Sequence, residues 1–565
     1  MLFRSQTEFV RLCVARIIWL YKNTDSPPTS VILIGHSMGG LIARGLFTLP
    51  KFDTSFVHTI ITYGTPHRHP ILPLDPQLMN YYENVNRFWR SHALVNDTIS
   101  RLKNVTVVSV SGGVRDVLVR SSPSSLQHLA LHSQAISVVT TSVPRAWISV
   151  DHLCLCWCRQ LVLVTNRALF DMTDPNTQQI TENDQQRVAV LQHHFLRNPG
   201  QSKVTFNDAG NINGKEIYLA KDFSRLVIHK RLWRYTGNEQ KLLLFSRDEW
   251  SATHDTLMLL TTSESDQWLY GCPETSGQAC NSTVDLSYHA SLLPWNGSVL
   301  KHVKLTLNAF EGIAYFAVIV PSSKKTTSVW WEYQSSGSLV YDMELPAVLS
   351  TKSRVLVIPS DSLFANITLK SVVKSWRVYV FNFEALDCDV RKSLLITRIH
   401  VPWFNEDVYR FSSNGAAELV LKLHHPKPIG SKQHVQIHMW LDPKCSYRIS
   451  AKCDFYQTLG QIYRFYAVQL PCWTFSVVML VFAWQLSSMT FKKRCESFFS
   501  LATSVSKSLR VLLLVVQIHF FASQFILAFY VLSRESGQHD WLPSVDDLKT
   551  YIWLLPLILD RKSVV

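Results

Sequence analysis

Hydrophobic positions change rhythm along the chain, and each rhythm predicts a different architecture. Over residues 6–22 apolar side chains recur at helical spacing, and the run stops at Ser26-Pro27-Pro28-Thr29, where two prolines break any helix. Residues 31–34 form a short aliphatic run, the pattern of a strand buried on both faces, and the apolar stretch 41–46 reads as the helix after it. Strand-like runs recur at 59–63, 105–110 and 146–150, and a further helix is expected over 161–170. Strands alternating with helices predict an α/β domain over residues 1–172. Residues 173–204 are polar, with abundant Asn and Gln, and read as a linker with some helix.

Beyond residue 205 the period shortens to two. Turn-bounded runs such as 303–307, 315–320, 329–333, 376–381 and 435–440 suit antiparallel strands, and several alternate polar with apolar positions, as half-buried strands do. One β-sandwich, of jelly-roll type, is expected over 205–460, as a scaffold without chemistry of its own. The pattern then turns continuously apolar over 465–486 and again over 509–532, each long enough to cross about 30 Å of hydrocarbon. Lys492, Lys493, Arg494, Lys507 and Arg510 lie between the two, which places that loop in the cytosol and residues 1–464 on the lumenal side. A third apolar run begins at 551, but Asp560-Arg561-Lys562 cut it short, so 551–565 is a truncated apolar tail that does not span.

Composition adjusts this picture at three points. The 565-residue chain exceeds one ordinary domain. Its formal net charge of +14 is scattered and accompanied by no nucleic-acid motif, so it suits a membrane surface or an anionic headgroup and nucleic acid is not expected as a partner. Eleven cysteines are too few for a disulfide scaffold, but Cys272 with Cys280 and Cys445 with Cys453 each bracket a short polar loop that an oxidising compartment would bridge. Cys154, Cys156 and Cys158 lack a second ligand cluster at zinc-type spacing, so no metal is expected and they read as buried thiols of an apolar segment. Sequons at Asn96, Asn104, Asn281, Asn296 and Asn366 are glycosylation candidates if that region is lumenal.

The chemistry concentrates near the start. Gly35-His36-Ser37-Met38-Gly39 fits G-x-S-x-G between a strand and a helix, where a sharp turn lifts a serine hydroxyl clear of a sheet. Ser37 is therefore the candidate nucleophile, and Gly35 and Gly39 are expected at positions where a Cβ would collide with backbone. The Met38 N–H, at the helix N-terminus, is the candidate oxyanion donor. Downstream, Asp116 follows the run 105–110 and His152 follows 146–150, which gives the order Ser, Asp, His of an α/β-hydrolase. Asp116 is the candidate orienting acid and His152 the general base and acid. His67, His69, His128 and His132 compete for the base; Asp151 neighbours His152 but would point away from it in an extended chain.

Taken together, Gly35-His36-Ser37-Met38-Gly39-Gly40, Tyr63-Gly64-Thr65-Pro66-His67, Ser111-Gly112-Gly113-Val114-Arg115-Asp116 and Asp151-His152-Leu153-Cys154 resemble the GPI inositol-deacylases. These are endoplasmic-reticulum membrane lipases that remove the acyl chain from the inositol of glycosylphosphatidylinositol anchors. The resemblance runs through the β-rich region into the apolar spans. It implies that Ser37 attacks the acyl ester, that His152 serves as base and then acid, and that Asp116 orients it. It further implies a GPI-anchor lipid and the bilayer as partners, no cofactor, a multi-pass endoplasmic-reticulum location, and support for maturation and export of GPI-anchored proteins. Hydrolases of this fold place several strands and one oxyanion donor before the elbow, whereas 34 residues precede Gly35 here. An α/β-hydrolase domain incomplete at its N-terminus is therefore expected. The alternatives to an active deacylase are a catalytically impaired membrane-bound form with a binding or regulatory role, and a lipase acting on another lumenal lipid.

Overall fold

The computed structural model describes residues 2–72, 75–94, 101–130, 132–199, 217–218, 223–251, 253–274, 280, 282–335, 340–347, 350, 352–372, 374–388, 393–412, 414–428, 430–466, 469–495, 497 and 500. The expected span 509–532, the tail 551–565 and the sequons at Asn96 and Asn281 lie outside the described residues. The chain divides into two compact units, Met1–Gln461 and Ile462–Val565.

The first unit opens with helix α1 (Leu2–Leu20) and a sheet of four parallel strands, β1 (Ile32–His36), β2 (Thr59–Tyr63), β3 (Thr106–Ser111) and β4 (Ala135–Val139), paired in that order. Alternate side chains of a strand leave on opposite faces. Ile60 and Val107 thus pack on one side with Val14 of α1, Leu41 of α2 (Met38–Gly45) and Trp89 of α3 (Pro76–Leu94). Ile61 and Val108 pack on the other with Leu161 of α4 (Arg159–Asp171) and Phe195 of α5 (Asp184–Phe195). The result is a three-layer α/β/α domain.

Three expectations need correction here. Among the described residues β1 pairs with β2 alone, and Ile34 is 51% exposed, so this strand is not buried on both faces. Residues 146–150 are not a strand, because Pro144 offers no N–H and Arg145 (φ 69°) and Trp147 (φ 46°) turn the backbone into the left-handed region. Residues 184–195, within the stretch read as a linker with some helix, do form a helix, but it packs into the core. Asn183 caps it by accepting the Gln186 N–H at 3.1 Å, and the buried Arg187 that makes it look polar donates to the Thr181 and Asn104 carbonyls.

The single sandwich expected over 205–460 is two. The first comprises β5 (Ile217–Tyr218), β6 (Ser224–Ile228), β7 (Leu232–Gly237), β8 (Lys241–Ser246), β9 (Thr256–Thr261), β10 (Leu269–Pro273), β11 (Ser282–Asp285), β12 (Ser291–Trp295), β13 (Ser298–Thr306), β14 (Ile313–Val320) and β15 (Thr327–Gln334), with a one-turn helix α6 (Asp248–Ser251). Its sheets, β5-β11-β10-β14-β8-β6 and β12-β13-β9-β15-β7, enclose Phe245, Trp268, Phe316 and Trp331. The second comprises β16 (Val340–Asp342), β17 (Arg354–Ile358), β18 (Phe364–Leu369), β19 (Val378–Leu386), β20 (Leu395–Val401), β21 (Glu406–Ser412), β22 (Ala416–Lys422), β23 (Val435–Leu441) and β24 (Ser446–Cys453). Its sheets, β16-β18-β23-β20-β21 and β17-β24-β19-β22, enclose Phe381, Ile437 and Tyr447. A small apolar seam, Met258, Leu260 and Trp330 against Leu363, Ile396 and Trp440, joins the two sandwiches.

Cys272 and Cys280 are bridged, as their spacing predicts, but Cys445 pairs with Cys388 rather than Cys453. The register explains the choice. Leu386 lies opposite Ser446 where β19 and β24 run antiparallel, which brings Cys388 and Cys445 together, with Cα atoms 5.2 Å apart. Cys453 stands at the far end of β24, roughly 25 Å along the strand, and is a free thiol. Helix α7 (Phe455–Tyr466) begins in this unit, where the Thr458 hydroxyl accepts the Val378 N–H at 3.1 Å. In the second unit α8 (Gln469–Lys492) contains an 18-residue window, Thr474–Phe491, apolar and long enough to cross a membrane.

Candidate active site

Three strand ends build the site. Ser37 stands between β1 and α2 with φ 52° and ψ −125°, a strained conformation that non-glycine residues adopt only when their surroundings impose it. Its N–H donates to the Tyr63 carbonyl at the end of β2 (2.9 Å), which pins the elbow to the neighbouring strand. A Cβ on Gly35 would come within 2.6–2.8 Å of the Gly39–Gly40 backbone, so the first glycine is required for close packing. The second constraint falls on Gly40, whose Cβ would strike Thr65 and Thr62. A Cβ on Gly39 meets nothing within 4 Å, so the collision expected there does not exist.

Asp116 follows β3 and is fully buried. Its Oδ1 accepts the Leu118 and Val119 N–H groups (3.1 and 2.8 Å), and its Oδ2 accepts the His152 Nδ1–H at 3.0 Å. That bond fixes the imidazole tautomer and leaves Nε2 as the proton acceptor. The loop carrying His152 is laced to the end of β3: the Val150 N–H and the Ser149 hydroxyl both donate to the Gly112 carbonyl, at 2.9 and 2.8 Å. Gly64, with φ 54°, lies directly after Tyr63; a Cβ there would come within 3.0 Å of the His152 ring. Ser37 and His152 are thus both held against the Tyr63-Gly64 peptide. Met38, the first residue of α2, has one of the N–H groups that a helix leaves without an intrahelical acceptor.

His36 escaped sequence reasoning. Its ring lies 4.6 Å from that of His152, and its Nε2–H donates to the His152 carbonyl at 2.8 Å. It occupies a variable position of the motif, so no sequence signal marks it. The competing histidine His67 is placed in the core instead: its Nε2 bonds Thr62 at 2.9 Å, Arg44 lies against it, and burial holds its pKa well below the usual value. His69 bonds the Pro70 carbonyl (3.1 Å), and Asp151 caps its own turn by accepting the Leu153 and Cys154 N–H groups. Of the three neighbouring thiols expected to be buried, Cys158 is, Cys154 is partly exposed and Cys156 is exposed. Among the described sequons Asn104 and Asn296 are exposed, while Asn366 is half-buried within β18.

Residues 2–172 match the family model described as "PGAP1-like alpha/beta domain", and residues 337–467 match "GPI inositol-deacylase beta-sandwich domain". A GPI inositol-deacylase of Rattus norvegicus is 31% identical over 530 residues, covering 92% of this chain and 55% of the relative. One of Xenopus laevis is 33% identical over 506 residues, covering 87% and 52%. One of Aspergillus fumigatus is 24% identical over 557 residues, covering 84% and 47%. The chain spans about half the length of these curated relatives.

Proposed function

The chain belongs to the GPI inositol-deacylase family, and from that membership we propose that it is a serine esterase that cleaves the acyl ester on the inositol of GPI anchors. The observation that carries this reading is the strained Ser37 elbow beside a buried carboxylate–imidazole pair, His152 Nδ1 to Asp116 Oδ2 at 3.0 Å. Ser37 Oγ attacks the ester carbonyl while His152 Nε2 takes its proton, and the buried Asp116 carboxylate stabilises the imidazolium that forms. The Met38 N–H, at a helix N-terminus, receives the developing oxyanion. Collapse of the tetrahedral intermediate releases the inositol hydroxyl, which takes the proton back from His152, and water then hydrolyses the acyl-serine by the same path. The lipid substrate, the apolar α8 and the two disulfides are consistent with a chain working on the lumenal side of the endoplasmic-reticulum membrane.

Membranes carrying the chain are to be treated with a fluorophosphonate probe and supplied with acyl-inositol GPI lipid. Labelling and deacylation that both vanish in Ser37→Ala support the reading, and Asp116→Asn is expected to lower turnover by about 10⁴-fold. Labelling without deacylation of that lipid points to another lumenal ester. Absence of labelling in folded protein removes the esterase reading.

A further inference from the structure

The face of sheet β16-β18-β23-β20-β21 turned away from its own core packs at Ile396 and Trp440 against the first sandwich, and its polar rows beside that seam have a composition that neither packing nor the ester chemistry accounts for. Strand register sets Asn366, His438, Arg398 and Tyr409 side by side in one row across β18, β23, β20 and β21. The row beside it is Thr368, Gln436, His400 and Asp407, and on the other side run Phe364, Trp440, Ile396 and Phe411. Further aromatic rings stand over the edges: His302 of β13 is 5.2 Å from Trp440, and Trp147 of the α/β domain is 6.2 Å from Tyr409.

The polar rows are tightly organised and still reach solvent. Arg398 Nε and Nη2 donate to His438 Nδ1 (3.1 and 2.6 Å), His438 Nε2–H donates to Gln436 Oε1 (3.1 Å), and His400 Nδ1–H donates to Asp407 Oδ1 (2.7 Å). Yet the Arg398, His400 and Asp407 side chains keep 23%, 26% and 14% of their surface exposed. Asn366 Oδ1 and Trp440 Nε1 of this face, and His302 Nε2 of β13 opposite, are buried without a hydrogen-bond partner among the described residues. Orphaned polar atoms are costly in a junction that serves packing alone.

The charge pattern selects among ligands. Arg398 is balanced by Asp407 3.9 Å away, whose carboxyl stays ionised because the Arg398 charge and the His400 bond outweigh burial. Burial together with the nearby Arg398 and Lys304 charges depresses His302 to about 3 and His438 well below its usual value, so both imidazoles are neutral. This face, where Arg398 and Asp407 offset each other with Lys304 nearby, alternates donors and acceptors beside aromatic rings. It matches a sugar ring, whose hydroxyls both donate and accept and whose C–H face packs on aromatic surface.

We propose that this face of the second sandwich is a carbohydrate-binding site for a neutral oligosaccharide, lying where β20 and β21 meet β13 and the Trp147 loop. The test uses the full chain bearing Ser37→Ala, produced without N-glycosylation so that no glycan on Asn366 competes, in a detergent without a sugar headgroup. Titration with mannotriose, read by calorimetry, is expected to show saturable binding. Arg398→Ala and His400→Ala should each weaken it about tenfold or more. Tyr409→Phe, which removes one hydroxyl and leaves the packing, should weaken it less with an unchanged melting curve. Absence of saturable binding, equal binding by folded variants, or full displacement by inorganic phosphate would each overturn the proposal. Because Ser37 is absent from the tested chain, the outcome is independent of the esterase reading.

Discussion

Gly39 and Gly40 are neighbours in one turn and answer to different constraints. A methyl group on Gly40 would be driven into Thr65 and Thr62, so Gly40→Ala is expected to abolish fluorophosphonate labelling. On Gly39 it enters open space in the first turn of α2, where alanine is the better helix former by about 1 kcal/mol, so Gly39→Ala should retain labelling and melt no lower than the parent. A labelling assay on the two variants checks the contrast. The motif by itself points at Gly39 and misses Gly40, because the pentapeptide says nothing about which side of the helix β2 approaches. Chain order singles out Ser37, Asp116 and His152 as candidates, and the structure joins the last two directly. His36 was not legible: its contact with His152 spans 116 positions of sequence.

Period-two runs announce strands without saying which of them share a sheet. The alternation of β23 reveals one buried face, β9 is apolar on both, and two sandwiches with similar cores then look like one long β region. Cysteine spacing failed at Cys445 for the same reason, since pairing follows the register of β19 on β24 rather than proximity in sequence. The disulfides give a direct check at this scale. Cys388–Cys445 closes a 57-residue separation, and Cys445→Ser is expected to cost the second sandwich about 2–4 kcal/mol, while Cys453→Ser, which removes a free thiol, should cost little. Limited proteolysis and thermal melting of the two variants would separate them. The core placement of α5 was concealed by its composition, because Arg187 directs its polarity to two loop carbonyls rather than to solvent.

Several histidines are buried in neutral form in different parts of the first unit. Burial lowers His67 well below 6.5 and His425 to about 4, and His302 and His438 behave alike. Each folded-state value lies below the unfolded one, so the unfolded chain binds more protons between them. Stability is therefore full above about pH 6.5 and falls as pH drops toward 4, by up to about 1.4 kcal/mol per pH unit for each such histidine. Melting curves between pH 7.5 and 5 should move steadily downward; a flat profile would contradict neutral burial. One small contact has a larger reach. The Ser142 hydroxyl donates to the Asn405 carbonyl and accepts the Asp407 N–H, each at 2.6 Å, just ahead of the loop that bears His152. The candidate residues Ser37, Asp116 and His152 have all left the ribosome before residue 405 is made. At about 5–20 residues per second the delay across those 263 positions is some 15–50 s. These two bonds to the His152-bearing region form only once residues 405–407 have been synthesised, so the α/β domain is tied to a strand that the chain supplies much later.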